Sequence, residues 1–315
     1  MMLRSRAIAG GSLLLAGAIG LSACTTASLD AGNEAGATAV GQKNTEVSAA
    51  PFNAAAAGLL PPGVRARGTL VVGTDPTFAP YEFYASDNKT VVGWDADFAK
   101  ALGETLGLKI QMVPATFDTI LPGVSSHKYD VGISGFNVTA ERMKNADFAV
   151  YQSSGSGLAV KAGNPRKLSV DPMKLCGMKV GGEKGTTQGI ETLPEFSKKC
   201  VDAGNQPIDI QLFPSQHEAN LALMSGRVDG VLSGTIAMGY SSKLSGGAFE
   251  LAGGEDYAPT PVGIAMPKGS PLTGAIVAAV RAIVAGESYK QINARYGIPQ
   301  SVTVSPDAVD ASGAR

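Results

Sequence analysis

Histidine is scarce in this chain: His127 and His217 are the two present in 315 residues. His127 falls in a polar turn and His217 inside a helix-opening motif, and neither has a cysteine or carboxylate partner at metal-ligand spacing. No Gly-x-Ser-x-Gly nucleophile elbow occurs. The run from Gly181 to Thr187 has the order Lys-Gly-Thr where a phosphate loop needs Gly-Lys-Thr. Charge of either sign is in no excess: 26 Lys and Arg balance 27 Asp and Glu, and no basic stripe stands out, so nucleic acid is excluded as a natural partner. Beyond the first two dozen residues no apolar run reaches the roughly eighteen residues a spanning helix needs. These absences argue against an enzyme and against a metal or organic cofactor.

What is present begins with an export signal. Arg4 and Arg6 form a positive n-region, and Ile8 to Ile19 an apolar core interrupted only by Gly and Ser. Leu21-Ser-Ala-Cys24 follows, and it resembles a lipobox, the bacterial sequence after which the signal is cut and the new terminal cysteine is acylated. Residues 1–23 are then a lipoprotein signal peptide and Cys24 the lipidation site, holding the protein to the outer face of the cytoplasmic membrane. Residues 24–64 are rich in Ala, Gly, Asn, Thr and Ser, lack apolar periodicity, and read as a flexible tether. Residues 304–315 read as a loose tail. With Cys24 consumed by lipid, Cys176 and Cys200 remain as an even pair outside the cell, where a disulfide persists.

The remaining 240 or so residues suffice for two moderate lobes. Strand-like and helix-like patterns alternate: a strand at Thr69–Gly73, a helix at Asp95–Leu106 stopped by Gly107, a strand at Lys109–Val113 and a short helix at Thr116–Val124 disturbed by Pro122. A strand at Asp130–Ser134 follows, with helical residues after Thr139. A second series has strands at Leu158–Lys161, Met178–Gly181, Ile208–Leu212, Val228–Leu232 and Gly263–Met266. Its helices are expected at Thr187–Ala203, Ser215–Ser225, Leu272–Val284 and Ser288–Tyr296. This pattern predicts an α/β fold of two three-layer lobes with mainly parallel sheets.

Two spots suit a small anion. Ser134-Gly-Phe-Asn-Val-Thr139 ends a strand, where open α/β sheets bind ligands, and leads to Arg142, expected one turn into the following helix. A guanidinium can hold a carboxylate through two parallel bonds, although Arg142 alone reads equally well as a solvated surface charge. In the second series Gly185-Thr-Thr-Gln188 opens a helix whose free amides and hydroxyls suit an anion, although Thr186 and Thr187 could also be plain caps.

Six blocks in order resemble the bacterial extracellular solute-binding proteins of family 3, the polar amino-acid-binding proteins of ABC importers. They are Gly73-Thr-Asp-Pro-Thr-Phe-Ala-Pro-Tyr-Glu-Phe83, Gly93-Trp-Asp-Ala-Asp-Phe-Ala-Lys100, Phe117-Asp-Thr-Ile-Leu-Pro122, Tyr129-Asp-Val-Gly-Ile-Ser-Gly135 with Thr139-Ala-Glu-Arg142, Lys184-Gly-Thr-Thr-Gln188 and Gly226-Arg-Val-Asp-Gly230. The resemblance implies a type II periplasmic-binding-protein fold. Lobe 1 would comprise 65–152 plus 259–303, lobe 2 would be 153–258, and the hinge would run through 149–155 and 257–262. It implies that Arg142, with amides near Asn137 and Thr187, holds a ligand carboxylate, beside Thr186 and Gln188. Ser134 and Gly135 would face the ligand's ammonium, and Asp75, Phe78, Trp94, Asp95 and Phe117 its side chain. Gly234 stands where the family usually places the Asp that pairs with the ammonium, so the ligand either meets another acid, such as Asp75 or Glu183, or lacks a standard α-ammonium. The implied partners are a small amino acid or related carboxylate, an ABC permease and its ATPase, with the protein itself a monomer. Two alternatives carry the same fold: an arogenate or cyclohexadienyl dehydratase, and a sensor module for a membrane receptor.

Overall fold

The computed structural model describes residues 46–254 and 256–309. The signal peptide, the lipobox with Cys24 and most of the expected tether lie outside the described residues.

Within the expected tether, residues 46–64 pack as part of the folded body. Two short helices, α1 (Ala54–Gly58) and α2 (Pro62–Arg67), precede the first strand. Asn53 caps α1 by accepting from the Ala56 amide, and Ala50, Ala56 and Leu60 are buried. The segment is stitched down by Ser48 donating to Gln291, the Ala50 amide to Glu104 and the Asn53 amide to the Thr105 carbonyl. Alanine and proline carry no side-chain periodicity that a pattern reading can detect, yet alanine is the strongest helix former.

Strand β1 (Thr69–Thr74) starts the first lobe, followed by a small antiparallel sheet of β2 (Thr77–Phe78), β3 (Glu82–Tyr84) and β4 (Val91–Val92). Helix α3 (Trp94–Leu106) buries Phe98, Ala101, Leu102 and Leu106 on the face expected, and Gly107 ends it in a left-handed conformation at φ 69°. Strand β5 (Lys109–Pro114), helix α4 (Phe117–Ser125) and strand β6 (Val131–Gly132) follow; β5 and β6 both pair parallel with β1. After Thr139 only a single 3-10 turn forms, Arg142–Lys144, in place of the expected helix.

The long strand β7 (Ala146–Lys161) then runs from one lobe into the other. The second lobe contains α5 (Pro172–Leu175), β8 (Lys179–Glu183), a π-helical turn at Gln188–Thr192 leading into α6 (Leu193–Asp202), β9 (Asp209–Phe213), α7 (Gln216–Met224), β10 (Gly230–Gly234), α8 (Thr235–Leu244) and β11 (Phe249–Leu251). The helix expected across Thr187–Ala203 thus forms without a break in helical backbone, its first part wound as a π-helical turn just ahead of Pro194, which supplies no amide to the preceding turn. Strand β12 (Tyr257–Pro267) returns to the first lobe antiparallel to β7, and α9 (Thr273–Ala285) and α10 (Glu287–Tyr296) close it.

The strand order is β5-β1-β6-β12-β7-β10-β8-β9, with β11 on β7. Pairing is parallel on the outer flanks and antiparallel along β7 and β12, the two strands that cross between lobes. Helices α3, α9 and α10 cover one face of the first half, while α4 and Phe136, Phe148 and Val150 form a second core on the other. In the second lobe α6 packs with Leu158, Val180 and Leu232, and α7 and α8 lie opposite. This is the two-lobe α/β sandwich expected.

Two quoted blocks turn out to anchor strands. Asp130 accepts from the Val71 amide at 2.7 Å and Asp229 from the Lys179 amide at 2.9 Å, so each carboxylate ties the start of a neighbouring parallel strand in its own lobe. Cys176 and Cys200 form a disulfide that links the end of α5 to α6. Residues 304–309 of the expected tail pack on the folded body: Val309 is fully buried, and Arg281 donates to the carbonyls of Pro306 and Val309. Among the described residues no helix is long and apolar enough to cross a membrane.

Candidate functional site

The carboxyl ends of β6, β8 and β10 converge on a cleft between the lobes, the place where open α/β sheets bind ligands. Of the residues expected to bind a ligand, Phe78, Phe117, Ser134, Gly135, Asn137, Thr186, Gln188 and Gly234 line it. Tyr81, Ser154, Glu183, Ser233 and Val262 line it as well. Tyr81 falls inside the first quoted block, and Ser154 and Val262 fall in the two hinge segments; position alone was their signal.

The floor on the first lobe is a hydrogen-bonded relay. The Asp75 amide donates to Ser134 Oγ at 3.0 Å, Asp75 Oδ2 accepts from the Phe117 amide at 2.9 Å, and Ser134 Oγ donates to Glu82 Oε1 at 2.6 Å. The Gly135 amide donates to Asp95 Oδ2 at 3.1 Å. Asp95 therefore holds the Ser134–Gly135 turn from behind and does not line the cleft. Burial pushes its carboxyl up to about 6, and burial together with the Asp95 charge pushes Glu82 well above the usual carboxylate range.

Trp94 is a correction. It is fully buried, its ring stacks on Phe98 and Tyr151 at 4.9 and 5.0 Å, and its Nε1 donates to Asn293 Oδ1 at 2.7 Å. Standing first in α3, it is directed into the core against α10 and β7, and ligand contact is not open to it.

Arg142, half-buried on its 3-10 turn, sits against the cleft rather than in its lining. Its guanidinium lies over the rings of Phe117 and Phe136 at 5.6 and 5.7 Å. Nη1 donates to the Asn137 carbonyl at 2.8 Å and Nη2 to the Gly185 carbonyl at 2.9 Å. Burial lowers its pKa to about 10, so it stays charged at neutral pH. Thr187 approaches the same place from the second lobe and donates to Asn137 Oδ1 at 3.1 Å, while Asn137 Nδ2 donates to Thr260 on β12 at 2.7 Å. Thr186 serves as a cap: its hydroxyl donates to the Glu183 carbonyl and accepts from the Gly189 amide. Gln188 donates to Ser156 Oγ at 2.9 Å.

The lobes meet closely here. Gly185 has φ +82°, and a Cβ on it would stand 2.8 Å from Asp118 Cβ and 2.9 Å from Asp118 Cα on α4. Lys184 pairs with Asp118 at 2.7 Å across the same seam, which holds the Asp118 carboxyl below its usual range. Beside them, the carboxyls of Asp75 and Glu183 are in hydrogen-bonding contact from opposite lobes; burial raises both, and Asp75 adds to the rise of Glu183.

The description of the bacterial extracellular solute-binding proteins, family 3, matches residues 70–299. The chain belongs to that family. It is 30% identical over 244 residues to an arginine-binding protein of Corynebacterium glutamicum, covering 78% of this chain and 79% of that one. An ancestral arginine-binding protein bound to arginine superposes with a TM-score of 0.65 at 34% identity, over 73% of this chain and 98% of the other. An ancestral amino acid-binding protein, described as a precursor of cyclohexadienyl dehydratase, superposes with a TM-score of 0.65 at 30% identity over 74% and 97%. The family is one of binding proteins, and the enzymatic alternative is set aside on that ground. Among the described residues no group of three or more His, Cys, Asp or Glu side chains is arranged to hold a metal.

Proposed function

We propose that this chain is the extracytoplasmic substrate-binding component of an ABC importer and that it captures an amino acid with a cationic side chain by closing its lobes. The observation that carries this reading is the chemistry at the seam. Arg142 uses two of its five guanidinium N–H groups on carbonyls, one from each lobe, which leaves three for a ligand carboxylate. Near it, Asp75 and Glu183 present two carboxyls from opposite lobes. A ligand that engages both sets binds the closed form better than the open one, and that difference is what drives closure. The arginine-binding relatives support the same class of ligand.

The finer organisation follows from this reading. Lobe 1 is 65–152 plus 259–303, extended at both ends by the packed residues 46–64 and 304–309; lobe 2 is 153–258; and β7 and β12 supply the hinge. Phe78 and Phe117 flank the ligand's side chain, and Asn137, Arg142 and Thr187 hold its carboxylate. Cys24 carries lipid, and the closed monomer docks on a permease with its ATPase. Titration calorimetry with L-arginine, L-lysine, L-glutamine and L-glutamate tests the reading: the cationic pair should bind and glutamate should not. Absence of binding by every one of these amino acids refutes it.

A further inference from the structure

Most polar side chains around the cleft are already bonded to the protein itself. Ser134 donates to Glu82, Ser233 to Gln216 and Thr186 to the Glu183 carbonyl. Asn137 donates to Thr260 and accepts from Thr187, and Gln188 donates to Ser156. Among the described residues of the lining, two buried side-chain atoms have no hydrogen-bond partner: Glu183 Oε1 in the second lobe and Tyr81 Oη in the first. Ser154, whose own hydroxyl has a long contact of 3.4 Å with the Gly155 carbonyl, lies toward Tyr81 Oη without bonding it.

The rest of Tyr81 is fixed. It is 3% exposed, its amide donates to the Phe78 carbonyl at 3.0 Å, and its carbonyl accepts from the Asp95 amide at 2.8 Å. Its ring stacks on Phe78 at 5.5 Å and meets Trp94 edge-on at 6.2 Å. The hydroxyl is therefore held ready by contacts made elsewhere in the residue, as a preorganised binding group is. The Phe78 ring beside it reaches both Gly135 and Gly234, where a Cβ would stand 3.2 and 3.3 Å away. Neither glycine brings a side chain to that end of the cleft.

We infer that Tyr81 is a further ligand-binding residue, its hydroxyl accepting a hydrogen bond from the ligand's α-ammonium. The inference rests on the cationic-ligand reading. There Arg142 and its neighbours take the carboxylate and Glu183 faces the side-chain cation, so the α-ammonium is the ligand group still to be matched. Glu82 and Asp95 stand behind Ser134 and Gly135 on the same wall, and such acids favour a cation there over an anion. Burial keeps the Tyr81 hydroxyl neutral by pushing its ionisation well above the usual phenol range. Its bond forms only with ligand present, so it adds to affinity and gives no support to the empty fold.

L-Arginine and δ-guanidinovalerate, the same molecule without its α-amino group, are titrated by calorimetry into wild type and Tyr81→Phe, and the Tm of each empty protein is measured. Tyr81→Phe should weaken arginine by about 10- to 150-fold, the range for a hydrogen bond to a charged group, and δ-guanidinovalerate by less than about threefold. The Tm of the empty variant should lie within about 2 °C of wild type or exceed it, since phenylalanine removes a buried hydroxyl that bonds nothing. Equal weakening of the two ligands would assign the hydroxyl to closure or packing. A Tm lowered by about 4 °C or more would show a partner for it within the protein. Either result, or arginine binding unchanged by Tyr81→Phe, overturns the inference alone. Failure of wild type to bind arginine overturns the cationic-ligand reading and the inference with it.

Discussion

Removing the Arg142 guanidinium tests how binding and closure are linked. Arg142→Ala deletes two charge-assisted bonds, to Asn137 at 2.8 Å and Gly185 at 2.9 Å, of which only the second crosses between lobes. A hydrogen bond to a charged group contributes about 1.5–3 kcal/mol, so the balance between closed and open forms should shift toward open by about 10- to 150-fold. The ligand carboxylate also loses its partner, which costs about 2–5 kcal/mol, or about 30- to 5,000-fold in affinity. The two effects compound in a binding measurement and separate in other ways. Calorimetry with arginine reads their product, and the radius of gyration from solution scattering without added ligand reads closure alone. Arg142→Lys keeps the charge but loses the planar fork, so it should recover part of the affinity and little of the closure. Affinity for arginine within about threefold of wild type in the alanine variant would place Arg142 outside the site, since even the smallest term above exceeds that.

Three other outcomes are expected. The Cys176–Cys200 bridge closes a loop of 24 residues' separation, about 3.5 kcal/mol in the chain-entropy account; Cys176→Ala with Cys200→Ala should therefore lower the Tm by about 7–14 °C, as calorimetry would show. Gly185→Ala puts a side chain at φ +82° and against the Asp118 backbone at 2.9 Å, so it should leave the protein folded but extended in scattering and at least about tenfold weaker in binding. Asp75, Glu82, Asp95 and Glu183 all have carboxyls raised by burial above their unfolded values. The folded state then holds more protons between those values and the raised ones, and stability falls as pH rises from about 4 through the Asp95 value of about 6 and beyond. A Tm that climbs over that range would contradict the burial of these acids.

The parts legible in the sequence were those with local signals. Helix α3 announces itself through its apolar face and Gly107, Ser215 through its cap on the Glu218 amide, and the disulfide through the parity of cysteines outside the cell. Other features depend on contacts distant in the chain. The order of residues 46–64 comes from Gln291, Glu104 and Thr105, which no reading of an alanine-rich stretch could anticipate. Arg142 follows too short a turn to show helical periodicity, yet its position is set by carbonyls at 137 and 185. Trp94 matched a site block and still belongs to the core, because one aromatic residue can serve either purpose until its neighbours are known. The facing of Asp75 and Glu183 arises only when two lobes meet.

Both ends of the described chain pack on the same half of the molecule, the beginning against α3, α9 and α10 and the final residues against α9. Among the described residues the other half is therefore an insertion, reached by two strands and carrying neither end. A fluorophore or surface attachment at residue 46 or 309 would report on one half alone. A distance probe needs one label on α9 and the other on an exposed position of α6 or α7.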